Sequence, residues 1–424
     1  MYSQATVKIE SRVHLLSTLA EAAELEHDLM CMYLYAAFSF KRTPAEGLTV
    51  EEMDAVNGWH KTLLGICVEE MTHLALVANL TTAVGGGAHF FRPEFPVRPG
   101  YFPSEFVLEL APFNQETLQH FIFLERPEDE PIEDADEFRP EKEYTRSSAR
   151  GRLMDHTGDY STVGQLYEAI EYGVVSLNSA LGETNLFCGS PSLQISPNDV
   201  ELKGLAVVNN KASALEVLRL IVEQGEGART TKGSHYEKFR RIAEEYDLLL
   251  RKNPTFEPSR PAARNPVMRK PTTSERRVWV NETPASDYLD LANAVYGLML
   301  RFLVQVYSME NRSQAAKKTL LEAAFSLMHA VAAVARLLTQ FPANRDCPGT
   351  TAGISFALNR YFIPSELTSE KLLLIERLDE ILDDLRTLRD DAEDQRSGES
   401  KELAASLDSA KNMLGKVRES LEII

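Results

Sequence analysis

The chain is poor in cysteine and short of positive charge. Its four cysteines (Cys31, Cys67, Cys188, Cys347) are scattered over 424 residues and form no CxxC pair. That pattern excludes a zinc ribbon and a disulfide scaffold, and makes a reducing cytoplasm the expected compartment. Lys plus Arg number 45 against 63 Asp plus Glu, a net charge of −18. Phosphate attraction needs a basic excess, so general nucleic-acid binding is excluded and the acidic surplus reads as solvated surface. No apolar run approaches the ~18 residues needed to span a bilayer, so no membrane partner is expected. The opening "MYSQATVKIESRVHLL" lacks a basic end followed by an apolar core, so it does not read as a secretory leader.

What is present is helical periodicity. Leu15, Leu19, Ala22, Glu26, Met30, Tyr33 and Ala37 follow steps of three and four, which predicts a helix over 10–41 with those residues on one face. A second helix is expected over about 50–84, with Thr49 as N-cap, Glu52 completing a capping box, and "GGG" at 85–87 as the stop. Residues 88–160 are Pro-rich and acidic and read as a long crossover, with one short helix at "NQETLQHFIFLE" and surface loop over 126–145. Helices are expected again over 162–183, about 204–226, and from Ser234. A Pro- and Arg-rich linker follows over 253–285, with a strand at "RRVWV". Two buried helices (286–308 and 314–341) and a charged helical pair (366–390 and 400–422) complete an all-α chain. The charged pair either folds back on the core or forms a contact for a homo-oligomer. The expected organisation is a domain over 1–252 with its crossover at 85–160, a linker over 253–285, and a C-terminal helical region over 286–424.

The chemistry is suggested by polar residues at positions where helices should be apolar. Glu26 interrupts the stripe of the first helix. In the second, Leu63, Cys67, Glu70, Leu74, Val77 and Thr81 share a face that His73 borders. A buried unpaired carboxylate is costly, and a metal ion supplies the missing counter-charge. Residues i and i+3 lie on adjacent turns of one face, so Glu70 and His73 can serve one ion while Glu70 reaches toward a second. A second half is sought in Glu171, Glu223, Glu226 and His235. Val208, Leu215 and Val222 place Glu226 on a common face with Glu223 some 60° away, Glu171 lies nearer the apolar arc of its helix than Glu168, and His235 opens the next helix. Glu69 turns away from the face and is expected to be solvated. A metal-free helical scaffold with a hydrated acidic cluster is the plain alternative.

The stretches "LEHDLMCMYLYAAFSFK", "EEMTHLALVANLTTAVGG", "TVGQLYEAIEYG", "EQGEG" and "SHYEKF" together resemble the ferritin-like domain at one end of iminophenylpyruvate dimer synthases, the enzymes of the violacein and chromopyrrolate pathways. The resemblance covers about residues 10–250, and more weakly "YLDLANAVYGLMLRFL" and "TTAGISFAL" further on. It implies a ferritin-like four-helix bundle and a metal-dependent oxidative role. Iron is the implied metal, taken as two ions, with manganese as the alternative. Carried over by position, it gives Glu26, Glu70, His73, Glu223 and His235 as ligands, with Glu226 close behind. The expected function is an O2-dependent non-haem iron oxidoreductase acting on a small amino-acid-like molecule, and the alternative is a ferroxidase-type protein without an organic substrate. The pathway enzymes are much longer, so their coupling reaction does not follow from the resemblance.

Overall fold

The structure is a computed structural model that describes residues 8–103, 106–139, 159–225, 232–272, 276–308, 313–358, 367–394 and 398–423. Helix α1 (Arg12–Ser39) starts at Ser11, whose side chain accepts from the His14 N–H, a standard way of satisfying a free helical donor. Every residue from Ala22 to Tyr33 is buried. A helix buried all round must be enclosed by neighbours on every side. Helix α2 (Val50–Ala83) has the expected capping box between Thr49 and Glu52, and ends in a turn at Gly85 with φ 88°.

Among the described residues of the crossover, the helical segments are α3 (Gln115–Leu124), capped by Asn114 where the sequence predicts a short helix, and a 3-10 turn at Asp136–Phe138. Then come α4 (Val163–Leu181), the single turn α5 (Glu183–Leu186), α6 (Lys211–Gln224) and α7 (His235–Lys252). Helix α6 begins at an Asn210 cap, seven residues later than expected, because Leu205 and Val208 are buried as part of an irregular segment. Helices α1 and α2 lie side by side, α4 packs on α1 and α6, and α7 packs on α3 and α2. The expected strand at "RRVWV" is present as β2 (Val278–Trp279), paired in parallel with β1 (Pro266–Val267).

Beyond it, α8 (Ala285–Tyr307), α9 (Gln314–Leu338), α10 (Leu367–Asp394) and α11 (Gly398–Ile423) form a second four-helix group. Packing runs in a ring: α8 on α9, α9 on α11, α11 on α10, and α10 back on α8. The charged pair therefore folds back within the chain. Glu370 of α10 is buried and receives both Nε and Nη2 of Arg301 on α8, at 2.5 and 2.9 Å.

The absence of long apolar stretches does not hold for whole helices. Three of them (Val50–Ala83, Ala285–Tyr307 and Gln314–Leu338) are long and apolar enough to cross a membrane by length and composition. The windows concerned are 72%, 78% and 56% buried inside the fold, so packing against other helices accounts for most of that apolarity.

The region after α5 turns back tightly on the end of α2. The Gly189 N–H donates to Ala83 O at 3.0 Å, and a Cβ placed on Gly189 would lie 1.8 Å from Thr82 O. Gly189→Ala should therefore cost about 1–3 kcal/mol through forced backbone displacement. Gly58, exposed on α2 with nothing within 4 Å of an added Cβ, should be stabilised by about 0.5–1 kcal/mol on the same change. Denaturant midpoints of the two variants check this, and equal shifts would contradict it.

Candidate metal centre

Three glutamates and two histidines meet between α1, α2, α3 and α7. Glu26 comes from the middle of α1; Glu70 and His73 come from adjacent turns of α2. Glu125 is the C-cap of α3, and His235 is the first residue of α7, its position set by the Ser234 cap. All five are at most 3% exposed.

Glu70 divides its two oxygens. Oε2 lies 3.1 Å from His73 Nδ1, which is also 3.3 Å from Glu26 Oε2. Oε1 lies 3.0 Å from His235 Nδ1, which is also 3.4 Å from Glu125 Oε1. Two overlapping groups result, Glu26–Glu70–His73 and Glu70–Glu125–His235, each with its donor atoms within 4.8 Å of one another. The two imidazoles stack with ring centroids 5.5 Å apart.

A further layer fixes these side chains. The Tyr167 hydroxyl of α4 donates to Glu26 Oε1, and the Tyr33 hydroxyl of α1 donates to Glu125 Oε1 at 2.6 Å. His73 Nε2 meets Gln224 Oε1 at 3.0 Å, and His235 Nε2 meets Glu69 Oε2 at 2.9 Å; Lys238 donates to the same Glu69 oxygen. A small cavity touches Glu26, Glu70, His73 and Glu125 together, and Val163, Gly164, Ile221, Val222 and Gly225 complete most of its wall.

Burial and close pairing distort the proton affinities. Desolvation, with Glu70 adding to it, pushes the Glu26 carboxyl up to about 8. Burial alone would lower His73, but its hydrogen bonds to Glu26 and Glu70 outweigh that and bring it up to about 10. His235 is likewise held well above its ordinary value, because Glu70 and Glu125 outweigh its desolvation. Glu70 goes the other way: its burial is overcome by His235 and His73, and its carboxyl lies well below the usual range. Two imidazolium ions thus stand in for the positive charge that a cluster of acids requires.

The donor chemistry fits divalent iron or manganese, with oxygen-rich groups and one imidazole apiece. Of the residues expected from sequence, Glu26, Glu70, His73 and His235 are brought together. Two are not. Glu223 is exposed, because α6 buries Ala214, Val217, Leu218 and Ile221, and this phase turns Gln224 inward in its place. Glu171 is only half-buried; the position of α4 that faces Glu26 belongs to Tyr167, one turn earlier. Glu226 lies outside the described residues. Glu69, expected to be solvated, is half-buried and bonded to His235 and Lys238. Glu125 was missed; its only sequence signal is a glutamate directly after the apolar turn "HFIFL", at the edge of the acidic run.

Residues 19–244 match the family model described as Ferritin-like. The chain belongs to the ferritin-like family. Among solved structures, this ferritin-like chain is similar to a ferritin-like protein from Caulobacter vibrioides, at 18% identity and a TM-score of 0.50, covering 82% of this chain and all of that one. At that identity the likeness concerns the fold. Among curated proteins it is 27% identical to dichlorochromopyrrolate synthase of Lentzea aerocolonigenes, over 86% of this chain and 38% of that protein. It is also 27% identical to 2-imino-3-(indol-3-yl)propanoate dimerase of Chromobacterium violaceum, over 76% of this chain and 31% of that protein. The chain spans about a third of the length of these relatives.

Metal uptake would displace the Nδ1 protons of both imidazoles and the proton that burial holds on the Glu26 carboxyl. The ferritin-like centre should therefore release about three protons on loading with two ions near pH 7.5. Because His73 in the metal-free protein keeps its proton up to about pH 10, apparent affinity should rise with pH across the neutral and mildly alkaline range. Calorimetric titration with Fe2+ in buffers of different ionisation enthalpy measures the release; a pH-independent affinity would refute it.

Proposed function

We propose that this chain is a non-haem iron oxidoreductase, or the iron-bearing part of one, that uses O2 to oxidise a small amino-acid-like molecule. The observation that carries this reading is the division of Glu70, whose two oxygens belong to different carboxylate–imidazole groups. Glu26 and His73 would hold one ion, Glu125 and His235 the other, and Glu70 both. Iron bound in this way supplies reversible Fe2+/Fe3+ electron exchange, by which dioxygen is reduced and an organic molecule oxidised. Manganese suits the same donors.

The chain's own side chains do the rest. Tyr167 and Tyr33 each donate a hydrogen bond to one carboxylate oxygen, which fixes the rotation of Glu26 and Glu125. Gln224 and Glu69 hold the outward nitrogens of the two imidazoles, so both rings present Nδ1 to the centre. Leu29, Val163, Ile221 and Val222 give the cavity an apolar wall that restricts water. The four cysteines are free, in keeping with a reducing compartment.

The names of the curated relatives, a synthase and a dimerase of an indole-bearing imino acid, support an aromatic amino acid or its imine as the substrate class. The chain's share of those proteins is about a third, so the reaction proposed is the oxidation step alone.

Purified chain should contain about two iron ions, and Glu70→Ala should lose both. His73→Ala and His235→Ala should each lose one, as measured by elemental analysis. O2 uptake in the presence of aromatic amino acids or their imines should depend on Glu70. Iron content unchanged by Glu70→Ala would show the centre to be misplaced. O2 uptake with Fe2+ but no organic substrate consumed would replace the reading with a ferroxidase.

A further inference from the structure

The two halves of the centre are built from the same kinds of group, although Tyr167 holds the Glu26 oxygen away from His73 and Tyr33 holds the Glu125 oxygen that faces His235. Each has a carboxylate, Glu26 or Glu125, held by a tyrosine hydroxyl from Tyr167 or Tyr33. Each has a buried imidazole that turns Nδ1 toward one oxygen of Glu70. They differ in charge at the group that receives the outward nitrogen. His73 Nε2 meets the neutral amide oxygen of Gln224 at 3.0 Å, whereas His235 Nε2 meets the carboxylate oxygen of Glu69 at 2.9 Å.

An imidazole that donates its outer N–H to a carboxylate is a stronger base at the other nitrogen than one that donates to an amide, because the negative charge opposes the positive charge the ring acquires on ligation. Lys238 bonds the same Glu69 oxygen and fixes the carboxylate; the pair is partly exposed, Lys238 22% and Glu69 33%, so solvent screens both charges, and what sets this half apart is the direct hydrogen bond between a carboxylate and His235.

We propose that the two ions are held unequally, and that Glu69 is the positioning residue that makes the Glu125–His235 ion the tighter of the two. This rests on the two-ion reading above. Glu69 contacts neither the ion nor any substrate; it acts through His235.

The test is an anaerobic Fe2+ titration of the full chain in competition with a coloured ferrous chelator. The wild type should fill in two steps separated by about 10–100-fold. His73→Ala should keep the tight step and His235→Ala the weak one. Glu69→Gln, which preserves an oxygen acceptor but removes the charge, should weaken the tight step by about 10–100-fold and leave the other in place. Gln224→Glu should do the reverse and tighten the weak step. Opposite effects of these two changes are not expected from a structural role alone, and thermal melts of both variants check that the fold is kept. Two equal steps in the wild type would overturn the inference, as would a Glu69→Gln protein that loses both ions alike or neither; the two-ion reading would survive. A wild-type chain that binds no iron would overturn both.

Discussion

Putting three carboxylates into a dry helical interior is the constraint on which the rest of this molecule turns. Glu26, Glu70 and Glu125 are each at most 3% exposed, and burying an uncompensated carboxylate is among the most unfavourable things a fold can do. The surrounding architecture supplies what offsets that cost. Helix α7 begins where His235 can reach Glu70 and Glu125, α6 ends where Gln224 can steady His73, and α4 is phased so that Tyr167 meets Glu26. Two imidazolium charges offset the acids in the metal-free chain, and the same nitrogens are free to ligate once their protons leave.

The opposite side of α1 shows the same logic without chemistry. A helix enclosed all round cannot direct consecutive polar residues to solvent, so Glu26, His27 and Asp28 must each find a different neighbour. His27 Nε2 meets the Tyr296 hydroxyl of α8 at 2.7 Å, and Asp28 lies 3.6 Å from the guanidinium of the fully buried Arg92. Arg92 in turn bonds Tyr296 and the Phe356 carbonyl. Burial drives His27 well below its ordinary value, with the Arg92 charge adding to it, and drives Asp28 well above its own, with Arg92 opposing it. The second helical group is thereby tied to the helix that carries Glu26.

What could be read from the sequence, and what could not, follows the reach of periodicity. Glu26, Glu70 and His73 were legible because they sit mid-helix, where steps of three and four place a residue reliably on a face. Glu125 was not, because a helix pattern carries no information past its cap, and the residue adjoins a Pro-rich acidic run that looks like surface. Glu223 faces out through phase: Leu215 and Val222, which mark the expected face, are only half-buried, whereas Ala214, Val217, Leu218 and Ile221 form the buried one and carry Gln224 inward. Glu69 points away by helical phase, yet its long side chain, half-buried at the edge of the seam, still reaches His235. The all-α class, the capping box at Thr49 and the strand at "RRVWV" needed only local chemistry and were read as they stand.

The division of Glu70 would have a thermodynamic consequence under the proposed two-ion reading. A ligand common to two ions would make their occupancies a linked equilibrium. Whatever the first ion did to the orientation and charge of that carboxylate, it would do to the affinity of the second, and reciprocity would require the second to act on the first by the same factor. The single glutamate of "EEMTHL" that faces inward would then be a coupling element, through which an event at Glu26 and His73 on one side is felt at Glu125 and His235 on the other.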